Sequence, residues 1–191
     1  MKPPTLAFRP EDETERRLLA DQTLLTGLAW GRPRRGHPEG AVGRHVAEVL
    51  ANLERLDLPP DMRRRLRFAA FVHDSLKFRI DTDKPRTPPN EHGYQASRFA
   101  AAYTTDKALL TLIELHDEGY RAWRAHDIGN TADCERRLAL IAARVGHDIG
   151  PFMAFYWADN QSGDKEQGQL AWFAQAMSAR GVACAVPVPV R

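Results

Sequence analysis

The chain holds only two cysteines, Cys134 and Cys184, far apart and without CxxC spacing. Neither a disulfide framework nor a thiolate zinc site is expected, so any metal must be held by histidine and carboxylate. Excess charge of one sign is also missing. Lys and Arg number 27 against 25 Asp and Glu, a formal net charge of +2 that argues for no nucleic-acid partner by itself. Long apolar runs are absent too. The N-terminal MKPPTLAFRPEDETERR lacks the apolar stretch of a signal peptide, and no later segment approaches the roughly 18 apolar residues of a membrane span. No membrane partner and a cytoplasmic location are therefore expected. No internal repeat or low-complexity block divides residues 1–191, which read as one globular domain long enough to bury a sizeable core.

Helical periodicity is what the chain does have. Leu, Ala, Arg and Glu are abundant and no alternating strand pattern competes, so the fold class is predicted to be all α. Helices are expected near residues 11–29, 41–57, 60–79, 91–103, 105–125, 131–145, 149–160 and 167–179. GRPRRGHPEG (31–40) and IDTDKPRTPPN (80–90) read as loops on their Pro and Gly content, with Asn90 placed to cap the next helix. The tail GVACAVPVPVR (181–191) cannot be helical through its prolines; it is either an extended strap or loose.

The apolar stripes of these helices carry polar residues. In FVHDSLK (71–77), His73 follows Leu66, Ala69 and Ala70 at steps of three and four and precedes Leu76, with Asp74 beside it. His45 lies between Val42 and Val49, His116 continues Leu109, Leu112 and Ile113, and His92 leads to Ala96, Phe99 and Tyr103. Asp159 follows Phe152, Phe155 and Tyr156 onto the apolar side. Any one such histidine, taken alone, is more often a hydrogen-bonded core residue. Together, four inward histidines and two inward carboxylates need mutual compensation, which one or two divalent cations provide. Imidazole and carboxylate suit Mn, Fe, Co, Ni, Zn or Mg, and the ligand set does not choose among them.

The order His45, then His73-Asp74, then Asp159 resembles the H…HD…D motif of the HD superfamily of metal-dependent phosphohydrolases, over about residues 37–165. HPEGAVGRHVAEVL, RLRFAAFVHDSLK and EHGYQASRF are similar to the HD domain of bacterial CCA-adding tRNA nucleotidyltransferases. Too few residues precede this segment for a nucleotidyltransferase portion, so nucleotide addition is not expected. The resemblance implies an HD-type helical bundle in which His45, His73 and Asp159 hold one ion. His92 and His116 match positions that bind a second ion in the diadenosine-tetraphosphate hydrolases and cyclic-di-GMP phosphodiesterases, with Asp74 as the bridge. Two departures stand out: the family's HDxGK is HDSLK here, and the HH pair of the cyclic-di-GMP subgroup is His116-Asp117.

The implied activity is hydrolysis of a phosphoester of a nucleotide or related small phosphorylated substrate. A bound cation lowers the pKa of its water from 15.7 toward roughly 7, and two ions can hold attacking and leaving oxygens in line. Asp74 and Lys77 are the catalytic candidates. Lys77 reads either as a point charge for a phosphoryl oxygen or as a surface lysine at a helix end. His37 is a candidate for the pocket mouth, and Asp117 either orients a ligand histidine or is a solvated helix acid. His126 and His147 fall outside the stripes and read as structural, and Trp123, Trp157 and Trp172 as packing residues. The arginines of RRRLR (63–67) oppose the dipole of the helix they begin, which phosphate or acidic neighbours would relieve. An RNA-linked phosphatase or cyclic phosphodiesterase activity, or a metal-dependent ligand sensor without catalysis, are the alternatives. Oligomeric state is left open.

Overall fold

The computed structural model describes residues 8–33, 38, 40–163, 165 and 167–190. Among them are ten α-helices and no strand: α1 (Glu13–Leu19), α2 (Gln22–Ala29), α3 (Val42–Leu53), α4 (Pro60–Val72), α5 (His92–Ala100), α6 (Lys107–Leu115), α7 (Glu118–Asp127), α8 (Thr131–Val145), α9 (Ile149–Asn160) and α10 (Gly168–Ser178). Short 3-10 turns cover Lys77–Arg79 and Gly146–Asp148. The protein is all α, as its periodicity predicts.

Three expected helices are each interrupted. The stretch 11–29 breaks at Ala20 and Asp21, where the Asp21 carboxylate accepts from the amides of Thr23 and Leu24 and caps α2. The stretch 60–79 ends as α4 at Val72, with His73 as its C-cap and the Ser75 hydroxyl donating back to the Val72 carbonyl. The stretch 105–125 ends as α6 at Leu115, turns through His116 and Asp117, and resumes as α7. These breaks contain no Pro or Gly, and the apolar spacing runs on through them, so periodicity alone does not reveal them.

Two loop expectations resolve differently. The N-cap of α5 is Glu91, which accepts from the Tyr94 amide, and not Asn90. The Asn90 side chain is already committed to the 80–90 loop, donating to the carbonyls of Asp81 and Pro85 and accepting from the Asp81 amide. The tail is an extended strap. Val182, Cys184 and Val186 pack on the core, and the Val190 amide donates to the Arg55 carbonyl at 2.8 Å.

Helix α9 is buried on nearly every side, including Phe152, Phe155 and Trp157, which makes it the central element. The apolar face of α3, with Val42, Val46, Val49 and Leu53, packs against α4 and α9. Cys134 is buried and Cys184 half-buried, and both are free thiols. Of the three tryptophans assigned to packing, Trp157 is fully in the core; Trp123 and Trp172 are half-buried, Trp172 stacking on the exposed His126 ring at 5.0 Å.

The expectation about membrane spans needs one correction. Thr131–Asn160 is long and apolar enough to cross a membrane by length and composition, with a mean hydropathy of 1.2 over its best window. Half of that window is buried inside the protein, and the 3-10 turn at 146–148 interrupts it. The apolarity of α8 and α9 serves the core.

The RRRLR arginines find acids. Arg63 pairs with Glu11 and Glu54, Arg64 with Asp61, and Arg65 with Asp106 and Asp148. Arg67 is buried and bidentate on Glu15, at 2.9 and 3.0 Å. The crowding at the start of α4 is thus relieved by acidic side chains from α1 and neighbouring loops.

Two glycines permit the approaches that set the interior. A Cβ on Gly27 of α2 would lie 1.7 Å from the Ser75 carbonyl oxygen, and one on Gly93 of α5 would lie 2.4 Å from the Glu114 carbonyl oxygen. Neither neighbour is a flexible side chain. Gly27→Ala should therefore force α2 off the turn that carries His73 and Asp74 and cost on the order of 3 kcal/mol. Denaturant unfolding checks this: the midpoint should fall at an unchanged slope, and an unshifted midpoint would show that the approach is not tight.

Candidate metal centre

Each ligand-type side chain identified by its apolar stripe reaches one buried interior. His45 comes from the first turn of α3, His73 and Asp74 from the end of α4, His92 from the start of α5, His116 from the end of α6 and Asp159 from the last turn of α9. All but Asp159 are nearly inaccessible, Asp74 at 3% exposure. His37 lies outside the described residues.

The same local device orients two of the histidines. His73 and His116 are each the C-cap of a helix, and each places Nδ1 on the carbonyl oxygen three residues earlier, Ala70 at 3.0 Å and Ile113 at 2.8 Å. With Nδ1–H donating to a carbonyl, Nε2 is the atom presented to the interior. Each then meets a second imidazole: His45 Nε2 to His73 Nε2 is 3.1 Å, and His92 Nε2 to His116 Nε2 is 3.2 Å.

Asp74 lies between the two pairs. Its Oδ2 is 3.7 Å from His45 Nε2 and 3.6 Å from His73 Nε2, while its Oδ1 is 3.4 Å from His92 Nε2 and 3.5 Å from His116 Nε2. Oδ1 is buried and accepts no hydrogen bond. Asp159 Oδ1 completes the first group, 3.0 Å from His45 Nε2. Asp117 completes the second, with Oδ2 3.4 Å from His92 Nε2 and Oδ1 3.8 Å from His116 Nε2. Three sets therefore have ligand atoms within 4.8 Å of one another: His45, His73 and Asp159; His73, Asp74 and His116; and His92, His116 and Asp117. This donor set of imidazole nitrogens and carboxylate oxygens, with a buried carboxylate oxygen lacking any donor, fits divalent cations.

Compared with protein-family models, curated proteins and solved structures, the chain matches none. The residues themselves carry the functional argument.

Asp117 is not a solvated helix acid: its carboxylate stands beside both histidines of the second pair, at the turn where α6 gives way to α7. Arg121 supports it from α7, at 3.8 Å from Asp117 Oδ2 and 2.9 Å from Glu91 Oε1. Lys77 is not a surface lysine: its ammonium is 2.5 Å from Asp74 Oδ2, with 18% of the side chain exposed. Lys165, from the loop after α9, was not identified from sequence; its ammonium contacts Asp159 Oδ1 at 2.8 Å and the Asp159 carbonyl at 2.9 Å. It stands in a polar loop, QSGDKEQG, with no periodic signal to single it out.

Ionisation follows from these neighbours. Burial alone would raise the Asp74 carboxyl, but Lys77 and His73 hold it well below the usual range. Asp159 behaves likewise through Lys165 and His45. Burial drives His73 down to about 3, keeping it neutral. Burial also opposes charge on His116, but the carboxylates of Asp117 and Asp74 outweigh it and raise His116 to about 9. The proton on His116 sits where a cation would sit.

A pH dependence follows for chelator-treated protein. The folded value of His116 is raised to about 9 from an ordinary 6.5, so its contribution to stability is fully present below about pH 6.5 and lost as pH rises through about 9. Denaturant unfolding from about pH 6 to about pH 10 should show that loss in the wild type and a flatter profile in His116→Asn. Coincident profiles would mean that His116 carries no proton in the fold.

Proposed function

We propose that the protein is a metal-dependent phosphohydrolase of the HD type, cleaving a phosphoester of a nucleotide or related small phosphorylated substrate at a two-cation site. The observation that carries this reading is Asp74, whose two oxygens each face a separate histidine pair. Four imidazoles and three carboxylates gathered around Asp74 Oδ1, a buried oxygen that accepts no hydrogen bond, are a costly arrangement for a purely structural core. A nucleotide-class substrate goes with the reading through the resemblance in sequence.

On this reading His45, His73, Asp159 and Asp74 Oδ2 would hold one ion, and His92, His116, Asp117 and Asp74 Oδ1 the other. The ions would supply Lewis-acid polarisation of a phosphoryl oxygen and a water acidified toward roughly pKa 7. The chain's own groups do the rest. Asp74 ties the two halves to one turn, so their spacing is set by a single side chain. The carbonyls of Ala70 and Ile113 fix the ring orientation of His73 and His116. Phe155 packs edge-on against His73 at 5.2 Å and closes that side of the site to water. Lys77 keeps an ammonium on Asp74, close enough to meet negative charge on a bound phosphoryl group. An RNA substrate has less support, because every arginine of RRRLR is paired with an acid of this chain.

Two substitutions test the proposal. Asp74→Ala should abolish phosphoester hydrolysis in a substrate screen and lower the content of both ions, whereas unchanged turnover would remove Asp74 from the mechanism. Changing His92 and His116 together to alanine should reduce the metal-to-protein ratio by about one while the first site stays filled. A wild-type ratio of about one at saturation would leave the mononuclear form only.

A further inference from the structure

Two ammonium groups reach this site, and each meets the carboxylate oxygen that faces the first histidine pair. Lys77 Nζ is 2.5 Å from Asp74 Oδ2, and Lys165 Nζ is 2.8 Å from Asp159 Oδ1. Asp159 Oδ1 is also the atom 3.0 Å from His45 Nε2. A lysine and a cation therefore claim the same oxygen. Like charges that close repel, so both do not stay there at full strength.

Charge counting sets the direction of the exchange. Once His116 gives up its proton, as metal ligation requires, and with Arg121 paired to Glu91, the carboxylates of Asp74, Asp117 and Asp159 exceed the ammonium groups of Lys77 and Lys165 by one negative charge. One divalent ion reverses that sign, and a second leaves a strong positive excess which only an anion can balance. The lysine that loses its carboxylate is then the group left to meet that anion.

Lys165 suits this role by its anchorage. Its side chain is 18% exposed, against 13% for the Asp159 side chain that it holds. The loop that carries it is pinned on both sides: the Gly163 amide donates to Glu48 on α3 at 3.0 Å, and the Gln167 side chain donates to the Lys165 carbonyl at 2.9 Å.

We infer that Lys165 is an anion-binding residue of this centre, held by Asp159 until a cation takes that carboxylate and then engaging a phosphate-like dianion. The inference rests on the two-cation reading above, and it concerns binding, so it is tested without turnover. The probes are Mn²⁺ alone and inorganic phosphate. Titrated with Mn²⁺ after chelator treatment, Lys165→Met should bind the first ion several-fold more tightly than wild type, because a competitor for Asp159 is gone. Loaded with Mn²⁺ to the same occupancy, it should bind inorganic phosphate about tenfold more weakly, as expected for loss of one charge-assisted contact. Lys165→Arg, which keeps the charge, should restore most of the phosphate affinity.

Unchanged phosphate affinity in Lys165→Met overturns the inference. So does unchanged or weakened Mn²⁺ affinity, since Lys165 would then be a structural clasp on Asp159. The arms also separate this inference from the functional reading. Failure of the wild type to bind Mn²⁺ sinks both; wild-type binding of Mn²⁺ and phosphate without hydrolysis of any phosphoester sinks only the hydrolase; intact wild-type binding with an indifferent Lys165→Met sinks only the role of Lys165.

Discussion

The ionised carboxylate of Asp74, 3% exposed in the middle of a helical protein, dictates what must surround it. An unpaired charge there would cost several kcal/mol, and five helices contribute groups that offset the cost. Imidazoles arrive on two sides and an ammonium on a third. Because the two oxygens point to different pairs, the surrounding groups divide into two halves, each closed by a further carboxylate. The division follows from the geometry of one side chain.

Holding these groups in place requires that several helices end where they do. A histidine within a helix points wherever the helix axis aims it, whereas a histidine at the C-cap can bond back to a carbonyl three residues earlier and turn its other nitrogen inward. His73 and His116 both use that construction. The chain direction then changes within one or two residues, which puts Asp74 and Asp117 immediately beside the imidazoles. Close helix approaches at Gly27 and Gly93 keep these turns against the core, with no side chain between.

The site balances cationic groups against carboxylates. Lys77, Lys165 and a protonated His116 all stand at positions that a metal ion would contest. A core satisfied permanently by ion pairs would bury its lysines as deeply as its acids. Here the lysines are the more exposed partners, and the carboxylates are the deeper ones.

Much of this was legible in the chain itself. The apolar stripes around His45, His73, His92, His116 and Asp159 are periodic, and a period of 3.6 identifies an inward face whatever the helices pack against. The all-α class and the inward facing of these five residues, with Asp74 beside His73, follow from local spacing. The breaks at 20–21, 73–76 and 116–117 do not, because they carry no Pro or Gly and the spacing continues across them. For a related reason the sequence leaves Asp117 between two readings and does not single out Lys165: one sits at such a break, the other in a loop, and neither position has a periodic neighbour to give it a direction. Distances between residues from different helices, such as the two oxygens of Asp74 to two histidine pairs, arise only when the helices pack. Local sequence determined which side chains face inward; tertiary packing decided which of them meet, because contacts between distant segments depend on where helices stop and how closely their backbones approach.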